Sequence, residues 1–241
     1  MSKKIKVLTI SDHPLSPSGV GTQTKYFIIE MLKTEKFQFV SLGGAIKHDI
    51  VAEVTPEVKL NYVPHAVDSE IFKTLTEEQV LEIRKQHLGK EDQDKVVFFW
   101  NNRNARRKQS GSLLFWFKKF LDKVGHDKAQ LIMHTDPKDP HGQDLEHIID
   151  HLGLDTQRQV LLSSQKINQG DLAVLYNMID CTINISDAEG FGLATLESLS
   201  CGTPIIANMT GGLQEQIRSG SDLFGIPLFP ESKAVIGSQD V

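Results

Sequence analysis

The stretch Cys181-Thr182-Ile183-Asn184-Ile185-Ser186-Asp187-Ala188-Glu189-Gly190-Phe191-Gly192-Leu193-Ala194-Thr195-Leu196-Glu197 reads as a strand, a glycine-bearing loop and the start of a helix. Cys181 to Ile185 is short and β-branched, and the apolar residues after Gly192 take up helical spacing. The junction has the logic of an anion site. Gly190 and Gly192 let backbone approach a ligand, and the amides at the helix start point at it with the positive end of the macrodipole. Glu197 falls about one and a half turns after Gly192, where a carboxylate could accept hydrogen bonds from ribose hydroxyls. Glu189 stays in the loop. The same residues also fit a glycine-eased turn with two surface glutamates.

Outward from this junction, short β-branched or aromatic runs alternate with amphipathic segments, the pattern of βα units and a parallel sheet covered by helices. Strands are expected at Val96 to Asn101, Ala129 to Thr135, Gln159 to Ser163, Cys181 to Ile185 and Pro204 to Ala207, with a weaker sixth at Phe224 to Leu228. Apolar residues recur at three- and four-residue spacing in Leu113, Phe117, Phe120, Val124, in Leu145, Ile148, Ile149, Leu152, and in Leu172, Leu175, Tyr176, Ile179. Each set gives a helix one face for a sheet. The result is a Rossmann-type layer structure, in which ligands bind beyond the carboxyl ends of the strands.

The N-terminal part opens alike, with a strand at Lys4 to Ser11, a loop of Ser, Pro and Gly, and a helix from about Val20 to Leu32. Strands are expected at Phe37 to Leu42 and Lys59 to Val63, separated by the loop Gly43 to Lys47 and a brief stretch. Thr74 to Asp94, with a helix starting at Thr76, reads as surface structure between lobes. The domains expected are therefore 1–63, an incomplete Rossmann-like N-terminal lobe, and 64–241, a ligand-binding C-terminal lobe.

Composition is that of a globular protein: 241 residues, 39% hydrophobic and 24% charged. The longest early apolar stretch, Ile5 to Ile10, is too short to span a membrane and lacks a signal-peptide layout, so no stable membrane insertion and a cytoplasmic location are expected. Cys181 and Cys201 suggest reduced, buried thiols. A net charge of -5 argues against a nucleic-acid partner. The basic residues concentrate in Asn101-Asn102-Arg103-Asn104-Ala105-Arg106-Arg107-Lys108, after a strand and before a helix whose expected cap is Ser110. Four cations in six positions repel one another unless an anion or carboxylates sit among them. A pyrophosphate fits, with Arg bidentate and Lys as a point charge, and a solvated basic turn fits too.

These two segments, in this order, resemble the retaining glycosyltransferases of family 4, which have the two-lobed GT-B fold. By that resemblance Arg103 and Lys108 clamp the donor phosphates, Glu189 contacts the transferred sugar and Glu197 the ribose. Gly190, Phe191, Gly192 and Leu193 fall in the donor-binding segment between the glutamates. Ser18-Gly19-Val20-Gly21 resembles the family's N-terminal glycine loop, placing Gly19 and Gly21 near donor phosphates and acceptor. Ser163-Ser164-Gln165 resembles the loop beside the nucleobase, which makes Ser164 and Gln165 donor-binding. Thr210-Gly211-Gly212 with Glu215 resembles the following turn. Val63-Pro64-His65-Ala66-Val67-Asp68 resembles the entry to the donor lobe, with His65 where asparagine is usual. The resemblance also implies an acceptor-lobe block missing around His48 to Val51.

What the resemblance implies is an α/β, GT-B-like enzyme moving a sugar, with retention, from a UDP- or GDP-sugar to a saccharide, lipid or protein acceptor. The donor is a substrate, and neither cofactor nor metal is expected, since Arg and Lys do a metal's work. A noncatalytic nucleotide-sugar-binding module and a nucleotide-sugar epimerase are the alternatives. A homodimer is possible through an apolar face left by the missing block. Among other residues, His147 and His151 read as an exposed helix face, Trp100 and Trp116 as core, and the loop His134 to His141 as rigid. His13, after the first strand, is a candidate to approach an acceptor.

Overall fold

The computed structural model describes residues 4–15, 19–44, 52–55, 58–62, 66–89, 92–229, 235–236 and 239–240. The chain divides into two compact units, Met1–Ala66 and Val67–Val241.

In the first unit, β1 (Ile5–Asp12) leads through α1 (Gly19–Leu32) to β2 (Phe37–Gly44), then to β3 (Ala52–Thr55) and β4 (Val58–Tyr62). The sheet order is β1-β2-β4-β3, with β1, β2 and β4 parallel and β3 antiparallel to β4. The β3–β4 hairpin was not expected, because β3 is only four residues long. α1 covers one face, where Ile28 and Phe39 are buried among Val7, Met31, Leu32 and Phe37. Leu8 and its register partner Val40 are exposed, as is Ile10. His13 is buried, and Nδ1 of its ring accepts from the Leu15 amide at 3.0 Å. Ser18, the segment from Val63 to His65 and residues 45–51 lie outside the described residues.

The second unit begins with α2 (Glu77–His87), whose expected start is what forms. Thr76 accepts from the Gln79 amide, and the Gln79 side chain accepts from the Thr76 amide, a reciprocal cap that leaves neither amide orphaned. The succession is then β5 (Val96–Asn101), a single 3-10 turn (Arg106–Lys108), α3 (Ser110–Val124), β6 (Ala129–His134), α4 (Leu145–His151), β7 (Val160–Ser163), α5 (Gln169–Met178) and β8 (Cys181–Asn184). There follow α6 (Leu193–Ser200), β9 (Ile205–Asn208), α7 (Leu213–Ile217), a small hairpin of β10 (Arg218–Ser219) and β11 (Asp222–Leu223), and β12 (Gly225–Leu228). The six main strands form a parallel sheet in the order β12-β9-β8-β5-β6-β7, each ending within one residue of its sequence-based bounds.

Strand alternation divides the core into two layers. Trp100, Ala129, Leu131 and Met133 face α3 and α4, while Val97, Phe99 and Ile132 face α5 and its neighbours. Leu114, Leu121 and Leu131 are fully buried, so truncating any of them to alanine costs about 2–5 kcal/mol. Two expectations fail on α3. Its buried face is Leu113, Leu114, Phe117 and Leu121, with Phe120 at the edge against Phe98 and Phe117, while Val124 is exposed and Trp116, at 61% exposure, is not core. Trp116 stands one residue, about 100°, around the helix from Phe117 and so off the face that meets the sheet. Ser110 is not the cap either: Gln109, left-handed at φ 58, precedes the helix, and the Ser110 hydroxyl donates to Asn104 Oδ1 at 2.7 Å.

Strand order fixes where a site can form. From β5 the chain moves one way through β6 and β7, and then returns beside β5 as β8 and moves the other way. The crevice beyond the carboxyl ends of β5 and β8 is the switch point where such sheets bind ligands. Into it run the loop after β5, holding the basic cluster, and the loop after β8, holding Glu189.

Candidate functional site

Asn101 and Asn102, consecutive at the end of β5, reach toward different glutamates. Asn102 Oδ1 accepts from the Lys108 ammonium at 2.9 Å, and that ammonium also bonds Glu189 Oε1. Asn101 Nδ2 donates to the Tyr176 hydroxyl at 2.9 Å, which donates to Glu197 Oε2 at 2.9 Å. The last residue of β5 and the first of the loop after it thus organise both glutamates from one strand end.

Around Glu189 the wall is polar and closed. Lys108 and Glu189 side chains are 8% and 7% exposed. Asn184 donates to Glu189 Oε1 at 3.3 Å and Arg107 to Oε2 at 3.2 Å. Asn184 is itself oriented by the Ser186 hydroxyl, which donates to its Oδ1 at 2.5 Å. Burial alone would raise the Glu189 carboxyl. The Lys108 hydrogen bond and charge, with Asn184 and Arg107, outweigh it and hold the pKa below the usual range, so the group is ionised. Burial pulls the Lys108 pKa down, partly offset by Glu189.

Glu197 has the opposite balance. Burial raises its pKa and only the Tyr176 hydroxyl opposes. Tyr176 is held by edge-on rings of Phe99 and Phe72 at 5.3 and 6.2 Å between centroids. Its own ionisation is pushed well up by burial and by Glu197.

Lys108 and Glu189 are brought together, whereas Arg103 is not brought to them. Its guanidinium grips Asp139 with Nε at 2.7 Å and one terminal nitrogen at 3.2 Å, and the latter also meets His141 Nδ1 at 2.8 Å. Asp139 is accordingly held far below the ordinary carboxylate range by Arg103 and the His141 amide. The repulsion expected in the basic cluster is thus relieved by carboxylates, Asp139 for Arg103 and Glu189 for Arg107 and Lys108. Ser164 and Gln165 line a cavity of about 240 Å³ with Arg103, Asn102, His134 and Lys166. His134 Nδ1 sits 2.9 Å from the Ser163 hydroxyl, and burial lowers its pKa.

The glycine loop is fixed from behind. Gly192 has φ 86, and a Cβ there would lie 2.6 Å from Leu213. The Phe191 carbonyl accepts from Gln216 at 2.6 Å, and Gln216 bonds the buried Thr195 hydroxyl. Gly211, at φ 48, lies against the Glu189 carbonyl so closely that a Cβ would stand 1.7 Å from it. Gly190 has nothing within 4 Å of a Cβ position, so its missing side chain leaves open space. No side chain caps α6 at Gly192, and the Thr195 and Leu196 amides turn back to the Gly192 carbonyl. Leu193 opens the helix and is exposed. Gly19 and Gly21 begin α1 in the other unit.

Sequence reading missed Arg107, Asn102, Asn184, Thr195 and Gln216, whose roles depend on register across the switch point. Tyr176 and Asp139 were read as a helix face and a rigid loop. Among the described residues no group of three or more His, Cys, Asp or Glu could hold a metal, and no helix is long and apolar enough to cross a membrane.

A family model described as glycosyl transferases group 1 matches residues 81–232, which takes in the basic cluster, both glutamates and the glycine turn. The chain belongs to this family. An uncharacterized glycosyltransferase of Methanocaldococcus jannaschii is 26% identical over 208 residues, 85% of this chain and 50% of that protein. The N-acetyl-alpha-D-glucosaminyl L-malate synthase of Bacillus anthracis is 24% identical over 180 residues, 73% of this chain and 43% of that protein. The chain thus spans about half the length of the curated relatives it matches. Among solved structures, sucrose-phosphate synthase from Thermosynechococcus elongatus aligns with a TM-score of 0.65 at 18% identity, covering 94% of this chain and 61% of that one. Anabaena HepE in complex with UDP gives 0.61 at 18%, covering 93% and 58%. At such identities the likeness establishes the fold: α/β and GT-B-like, with a Rossmann-type lobe.

Proposed function

We propose that the chain carries the donor site of a retaining family 4 glycosyltransferase, moving a sugar from a UDP- or GDP-sugar to a saccharide, lipid or protein acceptor. The observation that carries this reading is the pair of glutamates served from one strand end at the switch point, Glu189 through Lys108 and Glu197 through Tyr176. A relative named N-acetyl-alpha-D-glucosaminyl L-malate synthase and a structural neighbour in complex with UDP support it.

In this reading the ionised Glu197 accepts hydrogen bonds from the ribose, with one oxygen steadied by Tyr176. Ser164 and Gln165 face the nucleobase across the cavity they line. The diphosphate lies between Arg103, Lys108 and the uncapped start of α6, over the open space at Gly190, with Phe191, Gly192 and Leu193 forming the floor. These groups stabilise the charge that develops as the nucleoside diphosphate leaves, an electrostatic role that needs no metal. Glu189 meets the transferred sugar. For Gly19 and Gly21 the assignment to phosphate and acceptor rests on the resemblance alone. Two thiols without a disulfide, both pushed up to about 11 by burial, suit a cytoplasmic setting.

Calorimetric binding of UDP, GDP and ADP to the purified chain tests the reading, with Arg103→Ala and Glu197→Ala beside it. One diphosphate bound selectively, and lost in both variants, is the expected result. A folded chain that binds none of the three overturns it. Release of nucleoside diphosphate from the sugar nucleotide, faster with acceptor, separates an enzyme from a binding module.

A further inference from the structure

Helix α3 has two apolar faces, and only one is used by the fold. Leu113, Leu114, Phe117 and Leu121 are buried against the sheet. On the outer side Phe115 and Trp116 are 43% and 61% exposed. Phe115 and Trp116 meet edge to face at 5.4 Å, and the Lys119 ammonium lies 4.8 and 5.3 Å from their ring centres. Lys123 is exposed one turn further on. The helix carries three lysines against one carboxylate, Asp122, which is occupied by Lys118 at 2.6 Å and His126 at 2.8 Å. Lys119 and Lys123 therefore present uncompensated positive charge on the aromatic stripe, in a chain whose net charge is -5.

Two exposed aromatic rings beside two lysines on one helix face mark an interaction surface. The charges decide what it takes. A second copy docked face to face would set Lys119 and Lys123 against their own kind, and a neutral groove would desolvate both ammoniums without a counter-ion. An anionic lipid surface satisfies both parts: rings of Trp and Phe settle at headgroup depth while lysine stems reach back to the phosphates. We propose that the outer face of α3 docks this chain reversibly on an anionic lipid surface.

The chain has two tryptophans, and Trp100 is fully buried, so a change in emission reports Trp116. The purified chain is mixed with vesicles of phosphatidylcholine plus phosphatidylglycerol, or of phosphatidylcholine alone, and sedimented. The expected result is a blue shift and co-sedimentation with the anionic vesicles only, weakened by salt. Lys119→Glu with Lys123→Glu lowers partitioning by at least roughly fivefold per lysine. Trp116→Ser with Phe115→Ser lowers it as well, with near-ultraviolet circular dichroism confirming an intact fold. Absence of binding, equal binding to both vesicles, or partitioning indifferent to all four substitutions overturns the proposal. So does a dimer in vesicle-free solution that Trp116→Ser dissolves, which would make a second copy the occupant.

Discussion

Tyr176 and Glu197 are joined by a 2.9 Å hydrogen bond in which the phenol donates, and the same phenol accepts from Asn101. The bond supplies the hydrogen-bonding opposition to a burial that raises the Glu197 pKa. Ribose hydroxyls are held best by the ionised carboxylate, so donor affinity falls as pH drops through this raised pKa, at a higher pH than for an ordinary carboxyl. Tyr176→Phe removes the opposition and raises the pKa further. UDP titrations across pH should show the loss of affinity moving upward in the variant, and an unmoved profile would contradict the role assigned to Tyr176. Leaving two buried partners unsatisfied should also cost about 1–3 kcal/mol of stability.

In the Lys108–Glu189 pair the carboxyl shift has the opposite sign. The folded Glu189 carboxyl lies below its unfolded value, so its contribution to stability is complete above the unfolded carboxyl range and is lost as pH falls through the folded pKa. Denaturant melts of the wild type should therefore weaken below about pH 4. Glu189→Gln leaves Lys108 buried against neutral partners. It should lose on the order of 3 kcal/mol at neutral pH and flatten that acid dependence. A variant as stable as the wild type at pH 7 would show that the ion pair is not what holds the wall together.

Much of this arrangement was legible in advance, because periodicity of two and of 3.6 says which residues face a sheet. The strands of the large sheet followed from it, and the start of α2 at Thr76, Glu189 in the loop after a strand and Glu197 inside the next helix were also read in advance. What was not legible depends on which strand lies beside which. Arg107 meets Glu189 only because β8 returns next to β5, and Arg103 meets Asp139 only because β6 lies on the other side. The exposure of Trp116 was missed for a related reason: helical spacing offered two apolar faces, and packing chose the one with the leucines.

Arg103 is engaged by Asp139 in the unliganded chain, yet its guanidinium is largely solvent-accessible. A diphosphate would meet a fork already aimed and held. Arg103→Ala should reduce turnover roughly a hundredfold to a thousandfold, the usual effect of deleting one preorganised donor. Arg103→Lys should rescue little, since an ammonium can neither grip Asp139 with two nitrogens nor present a planar pair to phosphate. Steady-state rates of nucleoside diphosphate release check both, and near-complete rescue by lysine would mean that charge alone is needed.

Gly190 and Gly211 separate the needs of the fold from the needs of a ligand. At Gly211 a methyl group would collide with the Glu189 carbonyl, and φ 48 already disfavours any side chain. Gly211→Ala should therefore displace the Glu189 loop and lower both stability and nucleotide affinity, with at least about 1–2 kcal/mol from the backbone conformation alone. At Gly190 a methyl group would meet nothing in the unliganded chain. Gly190→Ala should melt within about 0.5 kcal/mol of the wild type. If the open space is where the diphosphate lies, that variant should nonetheless bind UDP or GDP more weakly. Melting curves and calorimetry on the two variants give the comparison, and unchanged nucleotide affinity in Gly190→Ala would move the donor away from this loop.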